Sequence, residues 1–255
     1  MFAGEEVGMI ASSSFSNAVV TKQGSFFTWG SSWGLGHGRR VTNSALVYID
    51  KATFEASPII MAVCGVSSSI ALTEGEGVWT CGGEGETQPV LVPPATFDGS
   101  KVAYVEASDG LTMVVTADGV LWVCGFGMCG QLGTGTNENA LIPMRVGGSD
   151  RFGGEGVRMI ACSNNHSLIL GTDNRVWACG LAHHFALGMM DTVDLLEPTL
   201  LPDVAKFTNG NVVTVAVGKK HFVFVMQDGT VYTCGYRRGP HPLGEPPAPR
   251  GWVLG

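Results

Sequence analysis

Five segments of 21 residues fall into register without a gap when Gly30, Gly82, Gly125, Gly180 and Gly235 are aligned: IASSSFSNAVVTKQGSFFTWG, AVCGVSSSIALTEGEGVWTCG, VEASDGLTMVVTADGVLWVCG, IACSNNHSLILGTDNRVWACG and VAVGKKHFVFVMQDGTVYTCG. The anchor glycines are 52, 43, 55 and 55 residues apart. A period of this length restricts the chain to a repeat architecture, in which each unit is one supersecondary motif that buries its apolar face against its neighbours. Three places before each anchor stands an aromatic, namely Phe27, Trp79, Trp122, Trp177 and Tyr232. Six and seven places before it lie turn residues: Gln23-Gly24, Asp118-Gly119, Asp173-Asn174 and Asp228-Gly229, with Glu76 between Gly75 and Gly77 in the second copy. Such pairs between β-rich runs mark two-residue hairpins, whose turns need positive φ.

Each unit thus holds a strand such as residues 157–162, a hairpin such as 167–180, a glycine-rich loop and a fourth run, at 45–49, 89–92, 143–146 and 198–201. Four short strands per unit of roughly 50 residues predict a propeller blade. The expected fold is all-β: a β-propeller of antiparallel four-stranded blades with five recognisable repeats, at about 7–58, 59–101, 102–156, 157–211 and 212–255. The propeller is expected to span 7–244, followed by a Pro-rich C-terminal segment at 245–255. The aromatics of the shared position are expected to pack between neighbouring sheets.

The stretch VCGFGMCGQLGTGT (123–136) contains Gly125, Gly127 and Gly130 at the G-x-G-x-x-G spacing of a dinucleotide-binding loop. That loop requires a helix next, because the third glycine lets the helix pack on the sheet. Here Gly133 and Gly135 follow instead, each destabilising a helix by about 1 kcal/mol. With 37 glycines among 255 residues, the spacing is an accident of the repeat, and no nucleotide cofactor is expected.

Gly130-Gln131-Leu132-Gly133-Thr134-Gly135, preceded by the V-x-x-L/I-A-C pattern and joined by a His in the second strand at His166 and His221, resembles the repeat of the regulator of chromosome condensation family. The resemblance runs from about Val7 to Gly244. It implies a propeller that in this family is typically seven-bladed. Five units read either as an arc of a longer protein or as a degenerate ring. For the founding member the resemblance implies guanine-nucleotide exchange on a small Ran-like GTPase, and no loop here matches a motif through which exchange residues could be carried over.

The seven cysteines sort by repeat position: Cys81, Cys124, Cys179 and Cys234 share one slot, Cys64 and Cys162 another, and Cys129 stands apart. Equivalent positions lie one blade apart, too far for a disulfide's Cα separation of roughly 6 Å, so a small buried slot explains them and neither metal nor disulfide is expected. His166 and His221 occupy a slot held elsewhere by Ser16, Ser68 and Leu111, which marks it as architectural, with the imidazole bonding between strands or blades. No G-x-S-x-G and no Ser, His and acid set stands outside the repeat, so the chain is not expected to be an enzyme.

A net charge of −7 and a pI near 5.3 oppose attraction to phosphate backbones, which makes nucleic acid or chromatin an unfavoured partner. The N-terminus carries Glu5 and Glu6 where a secretory signal would carry bases. The longest apolar stretch, 59–72, is interrupted by Gly65 and serines and too short to span a bilayer. A cytoplasmic or nuclear compartment is expected. The leading function is a non-catalytic protein–protein interaction module, since rigid scaffolds bearing variable loops build binding surfaces. The candidate partner-binding loops carry Arg39, Arg40, His183, His184, Arg237 and Arg238, and the partner is expected to be a protein, with a small GTPase as one option. Exchange activity and a regulatory role within a larger protein are the alternatives.

Overall fold

The computed structural model describes residues 2, 4–38, 41–82, 86–147, 151, 152, 154, 156–181, 193–201, 212–235 and 253–254. Within them lie twenty strands. The first sheet comprises β1 (Val7–Ser12), β2 (Ser16–Thr21), β3 (Phe26–Ser32) and β4 (Val41–Ile49); the second, β5 (Ile59–Cys64), β6 (Ser68–Thr73), β7 (Val78–Gly82) and β8 (Glu86–Val92). The third comprises β9 (Val102–Ser108), β10 (Leu111–Thr116), β11 (Leu121–Gly125) and β12 (Ala140–Gly147); the fourth, β13 (Val157–Cys162), β14 (His166–Gly171), β15 (Val176–Gly180) and β16 (Leu195–Leu200). In the fifth, β17 (Val212–Val217), β18 (His221–Met226) and β19 (Val231–Gly235) are completed by β20 (Val253–Leu254). Strands follow chain order across every sheet and pair antiparallel. These are the five four-stranded propeller blades that the period predicts.

The hairpin joining the second and third strands has positive φ at one recurring slot: Gly24 (75°), Glu76 (68°), Gly119 (78°), Asn174 (65°) and Gly229 (85°). In the second copy the strained residue is therefore Glu76 itself, not either flanking glycine. The anchor glycines are fixed by contact as well as by φ. A Cβ on Gly30, Gly82 or Gly180 would stand 2.2, 1.9 or 2.1 Å from the carbonyl oxygen of Phe15, Ser67 or Asn165, the residue before the second strand of the same blade. Only a residue without Cβ lets the third strand end there.

A β-bulge recurs in the first strand of four of the sheets, where the register shifts between Val7 and Met9, Ile59 and Met61, Val157 and Met159, and Val212 and Thr214. The extra residue changes which side chains share a face. Each blade consequently has two apolar facets of different composition. The chain divides into two compact units, Met1–Asp118 and Gly119–Gly255, and each shows how the facets mate.

In the first unit, Ala18, Val20, Phe26 and Ile49 of the first blade pack with Ile59, Ala62, Cys64, Ala71 and Trp79 of the second. In the second unit, Ala161, Leu168, Leu170, Val176 and Ala178 of the fourth blade pack with Val212, Val215, Phe222, Phe224 and Cys234 of the fifth. Counted from the anchors, six positions recur in both pairs: Ala18, Val20 and Phe26 answer to Leu168, Leu170 and Val176, and Ile59, Ala62 and Ala71 answer to Val212, Val215 and Phe224. In both pairs the earlier blade thus presents an outgoing facet to its successor and the later blade an incoming facet to its predecessor.

The recurring aromatics lie on the incoming facet. Phe27, Trp79, Trp122 and Trp177 are buried and Tyr232 is half-buried. A second aromatic position, 28 residues before each anchor, holds Phe2, Phe54, Phe97 and Phe152, with Phe207 outside the described residues. Phe2 meets Phe27, Phe54 meets Trp79 and Phe152 meets Trp177, all edge to face, with centroids 5.3, 5.5 and 5.5 Å apart, a favoured aromatic geometry.

Candidate interaction surface

Several polar groups at the blade junctions are consumed by structure. In the first unit Ser13 and Ser16 both donate from Oγ to the Gly65 carbonyl, at 2.8 and 3.0 Å, and Cys81 Sγ donates to the Gly34 carbonyl at 2.9 Å. In the second unit the loop after β11 makes the corresponding contact. Gln131 is buried; its Oε1 accepts from Cys129 N at 2.9 Å and its Nε2 donates to the Asn164 carbonyl at 3.0 Å. Its own carbonyl accepts from Ser167 Oγ at 2.8 Å and from Cys179 Sγ at 3.4 Å. Gly34 and Gln131, followed by the buried Leu35 and Leu132, therefore play one part: a loop carbonyl gripped by the next blade's cysteine.

The glycines of the G-x-G-x-x-G stretch serve this loop. A Cβ on Gly127 would lie 1.9 Å from the Glu138 carbonyl oxygen, and one on Gly130 would lie 2.8 Å from Leu196 and 2.9 Å from the Leu195 carbonyl. No helix follows them; the loop runs directly to β12.

All seven cysteines are free. Burial pushes the thiols of Cys81, Cys179 and Cys234 up to about 12, which leaves almost no thiolate at neutral pH. These three are expected to remain unmodified by iodoacetamide in the folded protein at pH 8 and to react once it is unfolded, as peptide mass mapping would show. Among the described residues no three His, Cys, Asp or Glu side chains gather as a metal centre would need.

The two histidines of the shared slot differ. His166 is buried; its Nδ1 shares a 3.0 Å hydrogen bond with Ser163 Oγ, and its ring meets Phe222 of the next blade edge to face at 5.8 Å. Burial pushes its pKa down to about 4. His221 is exposed and lies over Gly218, where a Cβ would come within 2.2 Å of the ring.

Glu106 occupies a position that holds Ala11, Val63, Ala161 and Ala216 in the other repeats. Burial pushes its carboxyl up to about 7, against a 3.4 Å hydrogen bond donated by Tyr104 Oη that favours the charged form. A carboxyl whose folded pKa lies above its unfolded value leaves stability intact below about pH 4.5 and removes it as the pH rises toward 7. His166 has the opposite slope, losing stability as the pH falls from about 6.5 toward 4. Glu106→Gln is expected to raise stability at pH 8 by about 2–3 kcal/mol. It should also unmask the acid-side loss due to His166 between pH 6.5 and 4, both readable from urea midpoints across pH.

The sequence-expected partner loops at Arg39, Arg40, His183, His184, Arg237 and Arg238 lie outside the described residues. What the described residues do present is an apolar surface on the third blade. Phe126 and Met128 follow β11, while Leu141, Ile142 and Met144 lie on β12. All five are exposed, Leu141 at 88% and Met128 and Ile142 at 73%. The segments adjoin: Gly125 pairs with Ala140, and Gly127 N donates to Asn139 Oδ1 at 3.0 Å. Sequence patterning missed this surface because bulges between Leu121 and Trp122 and between Val123 and Gly125 break the alternation that a strand would otherwise show.

The regulator of chromosome condensation (RCC1) repeat matches residues 118–170, and a second form of that repeat matches 157–184 and 212–236. The chain is 30% identical over 226 residues to the ultraviolet-B receptor UVR8 of Arabidopsis thaliana, an alignment covering 83% of this chain and 49% of the receptor. It is 30% identical over 230 residues to the human E3 ubiquitin-protein ligase HERC2, covering 85% of this chain and 5% of the ligase. Yeast RCC1 (Prp20), in its crystal structure with Kap60, superposes with a TM-score of 0.75 at 22% identity over 91% of this chain and 56% of that one. The chain thus spans about half the length of the receptor and a small part of the ligase. With five four-stranded blades and a shared loop contact, this chain is a β-propeller that carries regulator of chromosome condensation (RCC1) repeats at residues 118–184 and 212–236.

Proposed function

We propose that the chain is a non-catalytic protein–protein interaction module and that Phe126, Met128, Leu141 and Ile142 form the centre of its contact surface. The observation that carries this reading is their joint exposure on adjoining segments of one blade. Large apolar side chains exposed together on adjoining segments mark interaction sites, and aromatic residues and Met are enriched at interface cores. A protein as the class of partner is supported by the yeast relative, whose structure holds Kap60. Arg39, Arg40, His183, His184, Arg237 and Arg238 are kept as further candidate partner contacts. No helix among the described residues is long and apolar enough to cross a membrane, and we place the module in the cytoplasm or nucleus. The greater length of the matched relatives favours a regulatory role within a larger protein as the second reading.

The double variant Leu141→Asp/Ile142→Asp tests the surface, with Ile60→Asp, exposed on β5, as control. Quantitative affinity capture from cell extract should show specific partners reduced about tenfold or more by the double variant and retained by the control. An unchanged partner set would contradict the proposal.

A further inference from the structure

The methionines sort by repeat position much as the cysteines do. Met9, Met61 and Met159 share the slot 21 residues before the anchor, where Tyr104 and Thr214 stand in the other two repeats, and all three are half-buried. Met159 Sδ accepts a 3.3 Å hydrogen bond from Thr214 Oγ1. Met113 and Met226 are buried within β10 and β18. These five belong to the architecture.

Among the described residues, Met128 and Met144 alone of the methionines are exposed, and both lie on the third-blade apolar surface. They share one compact unit, Gly119–Gly255, with Phe126, Leu141 and Ile142. Met144 pairs with Val123, at the register position where the other outer strands hold Val47, Val90 and Thr199. The repeat therefore asks for no thioether at that place. Cys129, the residue after Met128, is half-buried, and burial first, with Asp194 second, holds its thiol above the ordinary range. Little thiolate is left there to compete for an oxidant.

We propose that Met128 and Met144 form a reversible oxidation site that switches off the third-blade contact surface. The proposal rests on that surface being the one through which the chain binds partners. A hydroperoxide transfers one oxygen to the thioether sulfur: the O–O bond breaks, an S–O bond forms, the sulfur loses two electrons to become the sulfoxide, and the peroxide is reduced to water or an alcohol. A reductase supplied with a dithiol reverses the step, the oxygen leaving as water and the dithiol closing to a disulfide. The sulfoxide replaces a soft apolar group by a strong acceptor. Covered by an apolar partner, that acceptor is left without a donor, which weakens the contact.

Limiting hydrogen peroxide on the full chain, followed by peptide mass mapping, should place oxygen on Met128 and Met144 before Met113 and Met226. Affinity capture from cell extract is then compared within each protein, before and after peroxide. Oxidised wild type should capture about tenfold less of its partners, and methionine sulfoxide reductase with dithiothreitol should restore them. In Met128→Leu/Met144→Leu, peroxide should leave capture at that variant's own unoxidised level. Earlier oxidation of the buried methionines, or an equal loss in the variant, would overturn the inference. Release of partners by Leu141→Asp/Ile142→Asp but not by peroxide would overturn it while leaving the contact surface in place; release by neither would remove both.

Discussion

Trp177→Ala is expected to destabilise the protein by about 3–5 kcal/mol, the cost of removing a large aromatic from a close-packed site. Trp177 is buried on the incoming facet of the fourth blade, meets Phe152 edge to face at 5.5 Å, and has the Arg175 guanidinium 5.6 Å from its ring. Truncation leaves Phe152, itself fully buried, facing a cavity, and a cavity that cannot collapse adds to the lost transfer energy. Phe126→Ala is the matched control. That ring is 56% exposed, and its loss should change stability by no more than about 0.5 kcal/mol. Urea unfolding followed by circular dichroism would resolve the two, and equal effects would show that the repeated aromatic is not the core of the blade junction.

Gly180→Ala is expected to cost about 2–5 kcal/mol although it adds only a methyl group. The residue has φ 112°, where an L side chain costs about 1–2 kcal/mol, and its Cβ would overlap the Asn165 carbonyl oxygen at 2.1 Å. Relieving that overlap means moving backbone, for a further cost of about 1–3 kcal/mol. Gly229→Ala separates the two contributions. It also has positive φ, 85°, but a Cβ there meets nothing within 4 Å, so only the conformational cost of about 1 kcal/mol should appear. Equal losses at the two glycines would remove the steric argument for the anchor position.

The sequence made the blades legible because the features that build them recur. The anchor glycine, the aromatic three places before it and the turn six places before it answer to constraints that are the same in every unit. The phenylalanines at Phe2, Phe54, Phe97 and Phe152 are as regular, but they lie upstream of the 21-residue window and became evident only when their partners on the next aromatic were seen. Positive φ at Glu76 was hidden because the flanking Gly75 and Gly77 offered an easier account of the turn.

Features that occur once left little or no trace in the pattern. Gln131 is buried because its amide closes a particular loop against Asn164, and a polar residue in a glycine-rich loop otherwise reads as exposed. Glu106 was overlooked because single-residue departures from a repeat are weak signals until burial is known. The third-blade surface depends on bulges in β11 and β12 that no local residue preference announces. The His slot was correctly read as architectural at His166, whereas His221, in the same slot, is exposed because exposure is set by what lies on a facet and not by the residue on it.

The central claim is that this chain binds partners without catalysing a reaction on them, and release of a fluorescent guanine nucleotide from a small Ran-like GTPase tests it most directly. An exchange catalyst must bind the nucleotide-free GTPase more tightly than the loaded form, since only differential affinity shifts that equilibrium. Release rates should be the same with and without this protein, even when it is in excess. Marked acceleration by substoichiometric protein would contradict the account and assign exchange activity to the chain.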